Sequence, residues 1–231
     1  MPTRPAYHLA WKSQPLTRVK PLDATVRTWL AGPMVLLMDI GGVLIKTPFE
    51  LLDAVGNPPW HGPFDPEADP LWRDVVEGRL SERDYWDARA RSLGGLDPRD
   101  PIGHLFRILF DRPEDEVVRP EVAGLVRSVE RTAALTNDLI RFHGRRWVER
   151  MHIFRLFDPM IDLSFDRHRK PAPQAFEKAL RALEVEPDAV LYVDDQPANV
   201  TAARAAGMDA VLFDVTDPGA SVRLLERRVR G

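Results

Sequence analysis

The sequence predicts an α/β fold in which a doubly wound, Rossmann-like parallel sheet carries an inserted all-helical segment. Three short apolar runs end in polar residues, which is typical of strands buried on both faces of a parallel sheet. Helical patterns separate the later runs, as they do in doubly wound sheets. Strand-like runs are absent between residues 46 and 120. The three predicted strands cover residues 34–38, 132–135 and 189–193.

The first 33 residues differ in composition from the rest of the chain. They contain five prolines and five Lys or Arg residues against one acidic residue, Asp23. We expect an irregular arm lying on the domain, with oligomer contact or partner binding as the alternative. The predicted organisation is a proline-rich basic N-terminal arm (1–33), an α/β core (34–45 and 121–231) and a helical cap (46–120).

The cap is predicted to contain several helices and to act as a lid. Ser81 with Asp84 forms a weak capping arrangement ahead of one helix, and Gly94 and Gly95 would stop it. A lid at this position could exclude water and select the substrate. The predicted helices cover residues 49–55, 67–77, 82–93 and 102–110.

Two further helices are predicted in the second half of the core. The first is bracketed by Pro173 and Pro187, and the second ends at Gly207, which is a good C-terminal cap. Both carry apolar residues at the i, i+3, i+4 spacing of a buried helix face. These residues are Phe176, Ala179, Leu180 and Leu183 in the first helix, and Val200, Ala203 and Ala206 in the second.

Composition excludes several classes of function. A formal net charge of -3 and a pI near 6.1 indicate no nucleic-acid partner. Without cysteine, the chain has no disulfide, no thiolate metal ligand and no cysteine nucleophile. No apolar run reaches the roughly 18 to 20 residues of a spanning helix, and no secretory signal is visible, so we expect a cytoplasmic protein without membrane association. The sequence leaves the oligomeric state open.

Several chemically active side chains are placed where the predicted strands end. Asp39 follows the first strand, Thr136 follows the second, and Asp194 and Asp195 follow the third. The carboxyl ends of parallel strands meet at one edge of the sheet, so these side chains should converge there. Lys170 stands between the second and third strands in the chain.

These residue types fit phosphoryl transfer. Clustered carboxylates repel one another unless a cation neutralises them, and hard oxygen ligands suit Mg²⁺. A carboxylate can attack phosphorus and form an aspartyl phosphate. Lys170, the Thr136 hydroxyl and the Asn137 backbone N–H would hold the phosphoryl oxygens.

Four segments resemble the motifs of the haloacid dehalogenase superfamily, most of whose members are Mg²⁺-dependent phosphatases. They are "LLMDIGGVL", "ALTN", "RKPAPQAF" and "LYVDDQPANVTAARAAGM". The resemblance covers residues 35–215, and the helical segment 46–120 sits where the family inserts its type 1 cap. It implies a small phosphorylated metabolite as the substrate.

By this resemblance, Asp39 is the nucleophile, and Thr136 and Lys170 complete the catalytic set. Mg²⁺ would be held by Asp39, the main-chain carbonyl of Gly41 and the acidic pair, with Asp195 the favoured direct ligand and Asp194 bound directly or through water. Asn199 is assigned to positioning rather than to the metal. The substrate-binding residues would be Gly41, Gly42, Thr136, Asn137 and Lys170.

The chain departs from the family pattern at Gly41. Most family phosphatases have a second aspartate there, which protonates the leaving oxygen and later activates water. Glycine keeps the carbonyl but removes this proton shuttle. The "D-x-G-x-V" form resembles a subgroup that includes bacterial α-D-glucose-1-phosphate phosphatases and relatives of the N-terminal phosphatase domain of soluble epoxide hydrolases.

Three explanations of Gly41 stay open. A cap residue such as Glu50, Asp53 or His61 supplies the proton, the substrate has a good leaving group, or the protein binds a phosphorylated ligand or partner and turns it over poorly. The sequence therefore predicts a Mg²⁺-dependent phosphatase of small phosphate monoesters, with sugar phosphates among the candidates. A catalytically weak or inactive relative is the alternative.

Two other enzyme classes are disfavoured by the sequence. The acidic pair argues against a dehalogenase, and the absence of a G-x-S-x-G motif argues against a classical serine hydrolase.

Overall fold

The computed structural model describes residues 34–230, so the predicted N-terminal arm lies outside the described residues. Five parallel strands form one sheet, and three of them match the predicted runs. The predicted fold class is therefore confirmed. The strands are β1 (Val35–Met38), β2 (Thr132–Thr136), β3 (Met160–Asp162), β4 (Val190–Asp194) and β5 (Asp209–Leu212).

The strand order is β3-β2-β1-β4-β5, with β1 in the centre. Leu37 of β1 lies in register with Ala133 of β2 on one side and with Tyr192 of β4 on the other. The chain therefore crosses from one side of β1 to the other, and such a reversal opens a crevice at the carboxyl ends of the strands. Asp39 follows β1 directly at this crevice.

The segment between β1 and the next core helix contains only helices and loops. It begins with a 3₁₀ helix (Pro48–Val55), and a second short one follows (Gly62–Phe64). A buried aromatic cluster holds the segment together, with Trp86 at 0% exposure in edge-on contact with Tyr85 and Phe106. The α-helices are α1 (Pro70–Val76), α2 (Glu82–Leu93), α3 (Pro101–Leu109) and α4 (Glu114–Val117).

Helices cover both faces of the sheet because side chains alternate along each buried strand. Leu36 packs on the face that includes Leu225, whereas Leu37 packs on the opposite face with Phe176 and Val200. The core helices are α5 (Pro120–Ser128), α6 (Leu139–His143), α7 (Arg145–Arg150), α8 (Pro173–Leu183), α9 (Pro197–Ala205) and α10 (Pro218–Arg230). No helix in the described part of the chain is long and apolar enough to span a membrane.

The structure differs from the predicted elements in several places. β3 and β5 were not predicted, because β3 has only three residues and β5 is an edge strand whose Leu212 is exposed. The segment predicted as a helix over 49–55 is a 3₁₀ helix. The helix predicted over 67–77 begins only at Pro70, because the Asp69 side chain caps it by accepting the Trp72 N–H at 3.1 Å.

Asp69 ties together three parts of the helical segment. It is 1% exposed and accepts hydrogen bonds from the Tyr85 hydroxyl at 2.7 Å and the Gly62 N–H at 3.1 Å, while Arg89 pairs with it. Burial acts to raise the pKa of Asp69, but the Tyr85 hydroxyl and the backbone N–H groups outweigh burial and hold the pKa below its ordinary value. Asp69 therefore stabilises the fold as a carboxylate.

Replacing Asp69 with alanine is expected to lower the free energy of unfolding by about 3 to 5 kcal/mol, because Arg89 and several donors lose their buried acceptor. The loss should shrink as pH falls below about 4. At such pH values Asp69 binds a proton more readily in the unfolded than in the folded wild type, and this binding stabilises the unfolded state. Urea unfolding at several pH values measures both effects. Asp53→Ala, which breaks an exposed pair with Arg112, is the control and should change stability by about 1 kcal/mol or less. An equal effect of the two substitutions would contradict the role assigned to Asp69.

Candidate functional site

The carboxyl ends of β1, β2 and β4 bring Asp39, Thr136, Asp194 and Asp195 to one crevice. Asp39, Thr136 and Asp194 are buried, with exposures of 9%, 5% and 0%. Asp39 Oδ1 accepts the backbone N–H of Ile40 at 2.7 Å, which orients the carboxylate at the start of the turn. The convergence predicted from the strand ends is thus present in the fold.

Lys170 lies between two of these carboxylates. Its Nζ is 3.0 Å from Asp39 Oδ1 and 2.7 Å from Asp194 Oδ2. The Asn137 side chain fixes the Lys170 backbone, because Nδ2 donates to the Lys170 carbonyl at 2.9 Å and Oδ1 accepts the Lys170 N–H at 2.8 Å. Burial opposes the charge of Lys170, yet Asp194 and Asp39 raise its pKa above the ordinary value. Lys170 is therefore held as a cation inside the carboxylate cluster.

Asp194 accepts hydrogen bonds from several surrounding donors. The Tyr192 hydroxyl donates to Oδ2, and Asn199 Nδ2 lies 3.0 Å from Oδ1 and 3.1 Å from Oδ2. The Gln196 N–H also donates to Oδ1 at 2.8 Å. Asn199 thus positions Asp194 by hydrogen bonding. These bonds fix the orientation of the Asp194 side chain against Lys170.

Asp195 has far fewer partners, and Gly42 makes room for it. The only side-chain donor to Asp195 among the described hydrogen bonds is Gln196 Nε2, at 3.5 Å. Position 42 requires glycine for two reasons. A Cβ there would lie 2.4 Å from Asp195 Oδ2, and its φ of +73° is in the left-handed region that other residues rarely adopt. Gly41 differs, because a Cβ there would meet nothing within 4 Å and its φ is not positive.

The cluster fits a divalent cation with oxygen ligands. Asp39, Asp194 and Asp195 each offer a carboxylate oxygen, and these oxygens lie within 4.8 Å of one another. Burial raises the pKa of Asp39 to about 7 and raises that of Asp195 well above its ordinary value, with Asp194 contributing to both. When all three carboxylates are ionised, they and the one lysine carry a net charge of -2, which a hard cation such as Mg²⁺ would neutralise.

A cavity of about 80 Å³ opens above these residues. Asp39, Gly41, Thr136 and Asp195 form its floor, and side chains of the helical segment and of α6 form its walls. His143 is buried in one wall, stacked on Trp147 at 4.2 Å, and burial lowers its pKa to about 3. The other walls include Lys46, Phe49, Trp72, Glu82, Phe106, Phe110, Asp138 and Phe142.

The three cap residues considered as proton sources do not line this cavity. Glu50 forms two hydrogen bonds with Arg119, at 2.9 and 2.7 Å, and Asp53 pairs with Arg112 at 2.6 Å. His61 is exposed. Glu50 and Asp53 are therefore directed to other parts of the structure.

Two residues of the site were missed by the sequence reasoning. Tyr192 lies two residues before Asp194, and the period of two along a strand places both side chains on one face, which was a usable signal. Glu82 is the first residue of α2 and faces the cavity. Its position depends on how the helical segment packs on the core, for which the sequence offered no signal.

Comparisons with known proteins agree with this architecture. A family model for haloacid dehalogenase-like hydrolases matches residues 33–207. A fructose-1-phosphate phosphatase, YqaB of Escherichia coli K12, is 38% identical over 55 residues, which cover 24% of this chain and 29% of that protein. The chain thus aligns with less than a third of this curated relative.

Solved structures show the same fold at low identity. A haloacid dehalogenase-like protein of unknown function from Agrobacterium tumefaciens superposes with a TM-score of 0.53 at 20% identity, covering 86% of this chain and 98% of that one. L-2-haloacid dehalogenase from Xanthobacter autotrophicus superposes with a TM-score of 0.53 at 19% identity, covering 79% and 78%. These structural matches show the fold alone. The family model matches most of the length of this chain, and the chain therefore belongs to the haloacid dehalogenase-like hydrolases.

Proposed function

We propose that this hydrolase is a Mg²⁺-dependent phosphatase that cleaves a small-molecule phosphate monoester through an aspartyl phosphate on Asp39. The observation that carries the proposal is the Asp39 carboxylate at the cavity floor, 3.0 Å from Lys170 and clustered with Asp194 and Asp195. A metal-independent attack on carbon would not need the acidic pair. The pair is therefore the feature that favours phosphoryl transfer over dehalogenation.

The acidic residues at the strand ends would bind the metal ion, and Lys170 would balance charge beside them. Asp39, Asp195, Asp194 and the main-chain carbonyl of Gly41 would hold the Mg²⁺ ion, which stabilises the negative charge of the phosphoryl oxygens when bound. Lys170 offsets the charge between nucleophile and phosphoryl group, as it already does between Asp39 and Asp194.

The neutral donors of the site would hold the phosphoryl group itself. The Thr136 hydroxyl and the backbone N–H groups of Gly41, Gly42 and Asn137 are suited to phosphoryl oxygens, because preorganised neutral donors stabilise charge that develops on them.

The cavity and the relatives support a small substrate. A volume of about 80 Å³ holds roughly five to eight water molecules, at about 10 to 15 Å³ each, which suits a phosphoryl group with a short organic part. The relative YqaB is named a fructose-1-phosphate phosphatase, so sugar phosphates belong in the first substrate panel. The helical segment 46–120 would act as the cap over the core formed by 34–45 and 121–231, since its side chains form the cavity walls.

The test is phosphate release from a panel of sugar, alkyl and aryl phosphate monoesters, measured with Mg²⁺ and with EDTA. We expect release from at least one ester in Mg²⁺ and its loss in EDTA, restored when Mg²⁺ is added back. Release by a contaminating enzyme would persist in an Asp39→Asn preparation purified in the same way. Absence of Mg²⁺-dependent release across the whole panel would refute the phosphatase assignment.

A second candidate follows from the open space at Gly41. Without a proton donor beside the nucleophile, the site would bind a phosphorylated ligand or partner and turn it over poorly. Isothermal titration with inorganic phosphate and with the esters separates the two functions. Mg²⁺-dependent binding without release would favour the weak or inactive relative.

A further inference from the structure

The proposed reaction needs a proton that the cavity floor does not supply. When Asp39 attacks phosphorus, the departing alkoxide must be protonated, and a water must later lose a proton to cleave the aspartyl phosphate. Asp39 is the nucleophile, and Lys170 is held between Asp39 and Asp194. At Gly41 there is no side chain, and the space beside its Cα is open to the cavity.

The titratable groups of the cavity walls can be compared by their partners. Asp138 pairs with Arg83 and, at 3.4 Å, with Arg169. His143 has its pKa lowered to about 3 by burial, so its ring is neutral at pH 7 and is a poor proton donor. Lys46 is a cation suited to attracting the phosphate ester. Glu82 is the wall carboxyl without an ion pair among the described residues.

Glu82 is held in place and faces the cavity. It accepts the indole N–H of the buried Trp86 at 3.2 Å through Oε1, one turn along α2. The side chain lines the cavity and is exposed to solvent. Neighbouring protein atoms partly desolvate the carboxyl and raise its pKa to about 7. The Trp86 indole N–H and Lys170 act to lower this pKa, whereas the charges of Asp138 and Asp194 act to raise it. The other titratable groups that line the cavity with Glu82 are Asp39, Lys46, Asp138, His143 and Asp195.

We propose that Glu82 is the acid and base of the reaction, contributed by the helical segment from across the cavity. This role rests on the phosphatase function proposed above. In the first step Asp39 Oδ bonds to phosphorus, the bond from phosphorus to the leaving oxygen breaks, and the Glu82 carboxyl transfers its proton to that oxygen. In the second step the Glu82 carboxylate takes a proton from water as the water oxygen attacks phosphorus. The bond from phosphorus to Asp39 breaks, and inorganic phosphate leaves.

The test compares wild type, Glu82→Gln and Asp87→Asn on two kinds of ester. Alkyl phosphates need a proton on the leaving oxygen, whereas p-nitrophenolate departs without one. For Glu82→Gln we expect about a 10²- to 10⁴-fold loss of turnover on alkyl esters. With p-nitrophenyl phosphate we expect a burst of about one equivalent of p-nitrophenolate followed by slow turnover, because dephosphorylation still lacks its base. Asp87 lies on the same helix and pairs with Arg91 outside the cavity, so Asp87→Asn should match wild type.

A second variant guards against a merely structural effect of Glu82→Gln. Because a side chain at Gly41 would project into open space, adding Gly41→Asp to Glu82→Gln should restore alkyl ester turnover by about tenfold or more. The absence of a p-nitrophenolate burst together with the absence of rescue by Gly41→Asp would overturn the role of Glu82 while leaving the phosphatase standing. A wild type inactive on every ester would refute the proposed function and this role together.

Discussion

Replacing Asp39 with asparagine is expected to lower the rate of Mg²⁺-dependent phosphate release by at least about 10⁴-fold, because the amide cannot form the aspartyl phosphate. The substitution is nearly isosteric, and the new amide oxygen can still accept the Ile40 N–H that Asp39 accepts at 2.7 Å. The loss should therefore be chemical rather than structural. Quenching wild type in acid during turnover and weighing the intact protein should show a phosphorylated species that the variant lacks.

The same substitution should not destabilise the protein when Mg²⁺ is removed. Burial raises the pKa of Asp39 to about 7, so the folded chain binds a proton at this carboxyl more tightly than the unfolded chain does. A carboxyl whose pKa is higher in the folded than in the unfolded chain lowers the free energy of unfolding once it is ionised in the folded state, that is, at pH values above its pKa in the folded chain. In EDTA at about pH 8, Asp39→Asn should thus unfold at a urea concentration equal to or above that of wild type. A rate within tenfold of wild type, or a loss of rate that follows a loss of stability, would contradict the role of Asp39.

The floor of the site could be predicted because it follows from a local pattern. Asp39 and Asp194 each stand where a short apolar strand ends, and the rule that parallel strands end at one edge places them together. Lys170 is different, since no strand precedes it and its position depends on the Asn137 side chain holding its backbone. The resemblance to family motifs, rather than periodicity, indicated that residue.

The walls of the site could not be predicted because they depend on contacts between distant segments. Glu50 and Asp53 follow Asp39 closely in the chain, yet each pairs with an arginine more than 50 residues away. Glu82 reaches the cavity because α2 packs on the core, where Arg83 pairs with Asp138 of the loop after β2. Such long-range ion pairs leave no periodic signal in a single sequence.

Replacing Lys170 with methionine is expected to lower the free energy of unfolding by about 3 to 5 kcal/mol in EDTA and to abolish phosphate release. Methionine retains an unbranched side chain for packing but removes the cation that separates Asp39 from Asp194. The buried carboxylates would then face one another without a counter-charge, because Lys170 is the cation that contacts both within the described residues.

The pH and Mg²⁺ dependence of this loss distinguish charge from packing. The unpaired carboxylates of the variant should bind protons more tightly in the folded than in the unfolded chain, so its deficit should shrink as pH falls from about 8 to about 5. Mg²⁺ binding to the folded state should also recover part of the stability. Lys178→Met removes an exposed pair with Asp166 and should cost about 1 kcal/mol or less at every pH, with no change in turnover. If the loss of unfolding free energy in Lys170→Met were the same at every pH and with or without Mg²⁺, it would indicate lost packing. That result would contradict the conclusion that Lys170 stabilises the carboxylate cluster.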